Sequence, residues 1–228
     1  MIYNEDLFLN AISDSFKAYK ERGARSTEKI KPLHKAIADI LKNIWGNDFD
    51  VFYLSDTTKE KQVEGKYYFK DIDITITKDE KPVFCLGIKF VTSNYKQNAN
   101  NYFENMMGET ANIQAVGTLP YAQLIILRHK TPYYKKNESI NQSKIEIIND
   151  KDLQKYLKLN FDTPQVHRPK YIGIKLIDVD EETFKVTSTS LDENFSSEIA
   201  SLLKDALSLD TFFNNIYNYK NYFISKNN

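Results

Sequence analysis

Two short stretches of the chain put acids and a lysine where they could meet. Phe69-Lys70-Asp71-Ile72-Asp73-Ile74 alternates polar and apolar residues, and after the polar turn Lys78-Asp79-Glu80-Lys81-Pro82 comes Val83-Phe84-Cys85-Leu86-Gly87-Ile88-Lys89. Successive side chains of a strand point to opposite faces, so an unbroken strand over Tyr67–Thr77 places Asp71 and Asp73 together. On the return strand Phe84, Leu86, Ile88 and Phe90 form a core face, which leaves Cys85, Gly87 and Lys89 opposite. Lys89 is then a lone charge in an apolar strand, presented across a hairpin from two carboxylates. Phosphodiester hydrolysis uses those groups: carboxylates hold one or two Mg²⁺ ions, the metal polarises the phosphate, and a lysine near the attacking water orients or activates it. The competing reading makes Asp71 and Asp73 a solvated strand face and Lys89 a charge guarding a sheet edge.

The two segments resemble the PD-(D/E)XK signature of type II restriction endonucleases. Lys70-Asp71 stands where Pro-Asp is usual, and Gly87-Ile88-Lys89 where the (D/E)-x-Lys triplet belongs; the resemblance spans roughly residues 26–128. It implies a restriction endonuclease-like core and a Mg²⁺-dependent DNA endonuclease, the restriction subunit of a bacterial restriction–modification system. Double-stranded DNA would be the substrate, a cognate DNA methyltransferase would belong to the same system, and a palindromic target would ask for a homodimer. Asp71 would be the principal metal ligand with Asp73 its near neighbour, and Lys89 would position or activate the water.

The departure from the pattern is Gly87, which stands at the second carboxylate position and offers no ligand. Either the site is inactive and the chain is a DNA-binding protein that keeps the nuclease fold, or the carboxylate comes from the following helix, as in some restriction endonucleases. Glu104 and Glu109 lie in that helix and complete the candidate catalytic and metal set of Asp71, Asp73 and Lys89. Five residues apart, they stand roughly 140° apart around a helix, so only one points into the site. Gly87 would open room for the reach. Gly108, which costs ~1 kcal/mol in a helix interior, would be explained by a close backbone approach beside Glu109.

DNA contacts are expected from two segments. Asn94, Lys96, Gln97 and Asn98 are rich in amides, which bind adenine bidentately. Arg128, Lys130, Tyr133, Tyr134, Lys135 and Lys136 interleave basic groups with tyrosines, a mixture suited to phosphate contact and base stacking. Arg25, Lys29 and Lys31 read as solvated cations and Glu28 as a helix-start acid complementing the dipole. His34, His129 and His167 are far apart and show no metal-binding spacing. Cys85 reads as a small buried residue, and there is neither a Walker A motif nor a GxGxxG.

The elements that must position these residues follow from periodicity. Leu7, Phe8, Ala11, Ile12, Phe16 and Tyr19 predict a helix over 5–21 ended by Gly23; Ser26 or Thr27 caps a second, with Leu33, Ile37, Leu41 and Ile44 as its stripe. A short strand over Phe49–Leu54, the hairpin, a helix over about 98–115 and the very apolar strand Tyr121–Arg128 complete the core. Later come a short strand near Ile145–Ile148, a helix over Asp150–Leu159, strands at Tyr171–Val179 and Phe184–Thr187, and helices over Ser196–Leu207 and Leu209–Phe223. The expected architecture is α/β, a single domain with a central mixed sheet flanked by helices. Its parts would be a helical region 1–47, a catalytic sheet core 48–130 and a recognition and dimerisation part 131–228. Phe212, Phe213, Ile216, Tyr217, Tyr219 and Tyr222 mark the expected dimer surface.

Bulk properties narrow the class. At 41% hydrophobic, the 228-residue chain can bury a core. Lys+Arg and Asp+Glu balance at 31 each, which excludes a purely electrostatic nucleic-acid coat. A single cysteine forms no internal disulfide, no stretch approaches the ~20 apolar residues that span a bilayer, and the start lacks the basic and apolar runs of a secretion signal. The expected setting is the cytoplasm.

Overall fold

The computed structural model describes residues 2–23, 26–117, 119–133 and 141–227. Helix α1 (Glu5–Arg22) starts where the Asn4 side chain accepts the Leu7 N–H at 3.0 Å and stops at Gly23, whose φ of 82° suits a residue without a Cβ. Ser26 caps a 3₁₀ turn over Thr27–Lys29 rather than the second helix itself; α2 (Lys31–Trp45) begins after that turn, with Pro32 in its first turn.

Strand β1 (Asp50–Tyr53) follows. The stretch expected as one strand over Tyr67–Thr77 is two: β3 (Phe69–Ile72) pairs with β2 (Lys61–Glu64), and β4 (Ile74–Lys78) pairs with β1 and with β5 (Lys81–Val91). The break falls at Asp73. β2 escapes sequence reading because Val63 is its one apolar residue. Asp79 and Glu80 turn the β4–β5 hairpin at φ 48° and 65°, the left-handed pair that a tight turn between twisted strands requires.

Helix α3 (Tyr95–Gln114) crosses over from β5 to β6 (Tyr121–Arg128), which lies parallel to it and parallel to β9 (Ile172–Val179); β10 (Val186–Ser188) closes the far edge antiparallel. The sheet is thus mixed, in the order β1-β4-β5-β6-β9-β10. Between β6 and β9 come β7 (Lys130–Tyr133) and β8 (Asn141–Ile147), paired apart from the main sheet, and α4 (Asp150–Phe161). α5 (Leu191–Asn194), α6 (Ser197–Leu202) with a π turn over Leu203–Leu207, and α7 (Leu209–Asn227) end the fold.

The architecture is α/β with helices on both faces of the sheet. Ala122, Leu124 and Ile126 of β6 pack with the core of α1, α2 and α7, whereas Ile125 and Leu127 pack with α3, α4 and α6. Burial on both faces explains why β6 is so largely apolar, with Gln123 and Arg128 its polar exceptions. A smaller cluster of Val63, Ile72, Cys85, Ile113 and Tyr121 seats the β2–β3 hairpin against α3.

Two expectations are corrected. The C-terminal aromatics are largely consumed within the chain: Phe212, Phe213 and Ile216 are buried, and Tyr219 packs against Trp45 and Phe84, leaving Tyr217 and Tyr222 exposed. Gly108 has no neighbour within 4 Å of where a Cβ would stand, so no close approach explains it. Gly108→Ala is therefore expected to stabilise the chain by about 1 kcal/mol, read as a higher urea midpoint with unchanged slope. Among the described residues, no helix is long and apolar enough to cross a membrane.

Candidate active site

The break between β3 and β4 decides the site. It sends β3 outward with the β2 hairpin and leaves Asp73 one residue before Ile74, which pairs with Leu86 of β5. The backbone N–H of Ile88 donates to Asp73 Oδ2 at 2.6 Å, so the carboxylate is stapled to β5 beside Gly87 and Lys89. A cavity of about 450 Å³ opens there, lined by Glu60, Asp71, Asp73, Lys89, Glu109 and Gln123 among others.

Asp71 is exposed at the rim, with Gln62 Nε2 3.4 Å from its Oδ1. Asp73 is the carboxylate held deep, because the break rotates the two acids apart. Burial, assisted by Glu60 and Glu109, pushes its pKa up to about 7 against the lowering effect of the Ile88 N–H. Glu60 is raised as well, by burial and then by Asp71. Lys89 is lowered by burial, against the opposing pull of Glu109 and Asp73, and its Nζ lies 4.5 Å from the centre of the Tyr102 ring.

Of the two helix acids, Glu109 reaches the cavity and Glu104 does not. Glu109 accepts from Lys70 Nζ at 2.8 Å and from the Tyr121 hydroxyl at 3.4 Å. Glu104 is exposed, with Lys155 as a charged neighbour. Burial alone would lower Lys70, but the Glu109 bond leaves it raised.

Gly87 opens no empty room for Glu109. A Cβ there would stand 2.1 Å from the Tyr121 hydroxyl oxygen and 2.8 Å from Gln123 Oε1. The phenol fills the space and carries the link to Glu109. Gly87→Ala is accordingly expected to destabilise the protein by about 1–3 kcal/mol, as overpacking does, and Tyr121→Phe in the same chain should recover part of the loss in urea unfolding. Cys85 on the same strand is buried, its thiol pushed up to about 12 by burial.

Sequence reasoning missed two residues. One ring nitrogen of His34 and one oxygen each of Glu60 and Asp73 lie within 4.8 Å of one another. His34 is 1% exposed, its pKa is lowered to about 4 by burial, and its Nδ1 has no hydrogen-bond partner. The signal was a histidine within the apolar side of α2, beside Leu33 and Ala38. Glu60, before an unrecognised strand, gave none. Two carboxylates and a neutral imidazole meet there, with Lys70 as a charged neighbour of both acids, and a divalent cation fits that donor set.

The expected DNA-contact residues separate. Arg128 is buried, ion-paired to Glu181 and stacked 5.6 Å from the Phe16 ring centre, so it braces β6 to α1 and is not presented to a phosphate. Lys130 is exposed. Asn94, at φ 54°, precedes α3 and its backbone oxygen accepts from Asn98 Nδ2 at 3.2 Å; Lys96 lies 3.5 Å from Asp152, and Gln97 is exposed. Tyr133 ends β7 as backbone, while Tyr134, Lys135 and Lys136, like Arg25, lie outside the described residues. Lys31 is bound to Glu28 at 2.5 Å and Asp56 at 2.7 Å.

Comparison of the chain with protein-family models, with curated proteins and with solved structures finds no match.

Proposed function

We propose that the chain is a metal-dependent DNA endonuclease, a phosphodiester hydrolase of the restriction type, with its active site in the cavity between β3, β5, β6 and α3. The observation that carries this reading is the convergence of Asp73, Glu60 and Glu109 with Lys89 in one cavity, reached from separate segments of the chain. Acids alone would be a poor site for a polyanion. A half-buried lysine among them, beside a donor set for a divalent cation, is a combination that phosphoryl chemistry uses.

Asp73 and Glu60 would hold the cation, with His34 as a third donor. Mg²⁺ suits the carboxylates, and the imidazole makes Mn²⁺ an equal candidate. The cation would supply the Lewis acid that polarises the scissile phosphate. Lys89 Nζ would donate a hydrogen bond to the attacking water or a phosphate oxygen, and its lowered pKa eases proton exchange there. Glu109 would fix Lys70 and orient the Tyr121 hydroxyl at the cavity wall.

The test is incubation of the purified chain with a mixed-sequence plasmid and Mg²⁺ or Mn²⁺, with a chelator control. Discrete fragments that vanish with the chelator are expected; no cleavage in either metal at any pH from acid to alkaline would overturn the reading. Within it, Glu109→Ala is expected to lower the cleavage rate by about 10–100-fold, as loss of an orienting partner does, while Glu104→Ala leaves it unchanged. Equal rates for the two variants would remove Glu109 from the site.

A further inference from the structure

Of the two polar exceptions on β6, the packing of the fold explains only one. Arg128 is taken by Glu181. Gln123 is 4% exposed, on the same side of the sheet as Ile125 and Leu127, and its side chain makes a single long contact: Nε2 donates to the Leu124 carbonyl at 3.4 Å. Its Oε1 accepts from no group among the described residues. A primary amide offers two N–H donors and an oxygen with two lone pairs, and a buried polar group left without partners costs about 1–3 kcal/mol. An apolar side chain of the same size would avoid that cost.

The free oxygen faces a defined gap. Gln123 lies directly across from Gly87 on the parallel strand, and a Cβ at Gly87 would stand 2.8 Å from Gln123 Oε1. Ordinary bond lengths put the carboxylate oxygens of an Asp or Glu side chain about 2.4–3.7 Å from their own Cβ. Gln123 Oε1 is therefore as far from the side-chain position of Gly87 as the oxygen of an acid there would be. The Tyr121 phenol, which shares this space, is committed to Glu109. The residue after Gly87 holds the deep carboxylate, since the Ile88 N–H donates to Asp73 Oδ2 at 2.6 Å. Gln123, Asp73 and Glu60 line one cavity. An amide oxygen is a hard donor that Mg²⁺, Mn²⁺ and Ca²⁺ accept beside carboxylates. Asp73 already has Glu60 and Glu109 as like-charged neighbours, so a neutral oxygen adds a ligand without adding another repulsion.

We infer that Gln123 is a ligand of the divalent cation, its amide oxygen standing in for the acid that Gly87 cannot supply. This rests on the cation site of the hydrolase reading. It extends the donor set from two carboxylates and an imidazole to a fourth, uncharged oxygen carried by a different strand.

The experiment titrates Mn²⁺ into the full chain without DNA and follows the loss of the free-ion electron paramagnetic resonance signal. Wild type is expected to bind, and Asp73→Asn to abolish binding. Gln123→Leu, close in volume, should lose about 10–100-fold in affinity, while the urea midpoint of the metal-free chain stays at or above that of wild type. Gln123→Glu restores an anionic oxygen and should tighten binding about tenfold, because ligand charge count tunes the affinity of such sites. If Gln123→Glu is unstable without the cation, a gain in thermal stability on adding Mn²⁺ that exceeds the wild-type gain is the same readout. Unchanged affinity in both variants would overturn the assignment. So would a loss in Gln123→Leu with no gain in Gln123→Glu, which would make the amide a brace of the cavity wall beyond the cation's reach. No Mn²⁺ binding by wild type would remove the cation site and Gln123 with it. Plasmid cleavage by the same proteins separates this inference from the hydrolase reading. Binding that depends on Gln123 in a chain that never cleaves supports the ligand and removes the hydrolase; cleavage by a chain whose Mn²⁺ affinity ignores both substitutions overturns the ligand alone.

Discussion

Lys89→Ala is expected to reduce the cleavage rate by about 10²–10⁴-fold, the range over which a positioned proton donor or acceptor acts, while DNA affinity stays close to wild type. Among the described residues Lys89 Nζ hydrogen-bonds to no side chain; it stands over the Tyr102 ring, with Glu109 and Asp73 as charged neighbours. Its ammonium is therefore free to donate to a substrate oxygen, and its removal leaves no broken ion pair in the fold. Thermal unfolding should shift little, because burial already disfavours the charge. Lys89→Arg restores a cation but not a compact one that can give up a proton. Partial rescue by Arg would assign Lys89 an electrostatic role, and none would assign it proton transfer. Normal cleavage by Lys89→Ala would place the chemistry elsewhere.

The placement of Lys89 is a residue-level success of alternation, and Asp73 shows where alternation stops. A period of two assumes one strand with one set of neighbours. Phe69–Ile72 and Ile74–Lys78 instead pair with different partners, and nothing in the local pattern of Asp71-Ile72-Asp73-Ile74 reports that change. The central place of β6 was legible because a strand buried on both faces is mostly apolar, and α1, α2, α3 and α7 were legible from 3.6-residue stripes. Arg128 was misread because its partner, Glu181, lies 53 residues away, and a buried ion pair looks like an exposed cation in sequence. Gly87 was visible as a gap but not as a contact, since the phenol that fills it comes from Tyr121 on the neighbouring parallel strand. His34 joins Glu60 and Asp73 only through the packing of α2 on the sheet edge.

Asp73→Asn should therefore have two effects of opposite sign. It is expected to abolish metal-stimulated cleavage, since the amide carries no charge for a cation. In metal-free protein it is expected to raise stability at alkaline pH. The Asp73 carboxyl rises from 3.8 to about 7 on folding, chiefly through burial. A raised acid favours the folded state while it keeps its proton: that contribution is fully present below about pH 4, declines as pH rises through about 7, and is gone above it. The gap amounts to a penalty on the order of 4 kcal/mol for the ionised folded form. The Asn amide can still accept the Ile88 N–H without that penalty. Wild type should thus lose stability from pH 5 to pH 8 more steeply than the variant, measured by thermal unfolding in a chelator. Saturating Mg²⁺ or Mn²⁺ should then stabilise wild type at pH 8, by about 2.7 kcal/mol at a hundredfold excess over Kd, and leave Asp73→Asn unmoved. A variant less stable than wild type at pH 8, or one that the cation still stabilises, would show that Asp73 is braced by other groups and is not the ligand at the centre of the site.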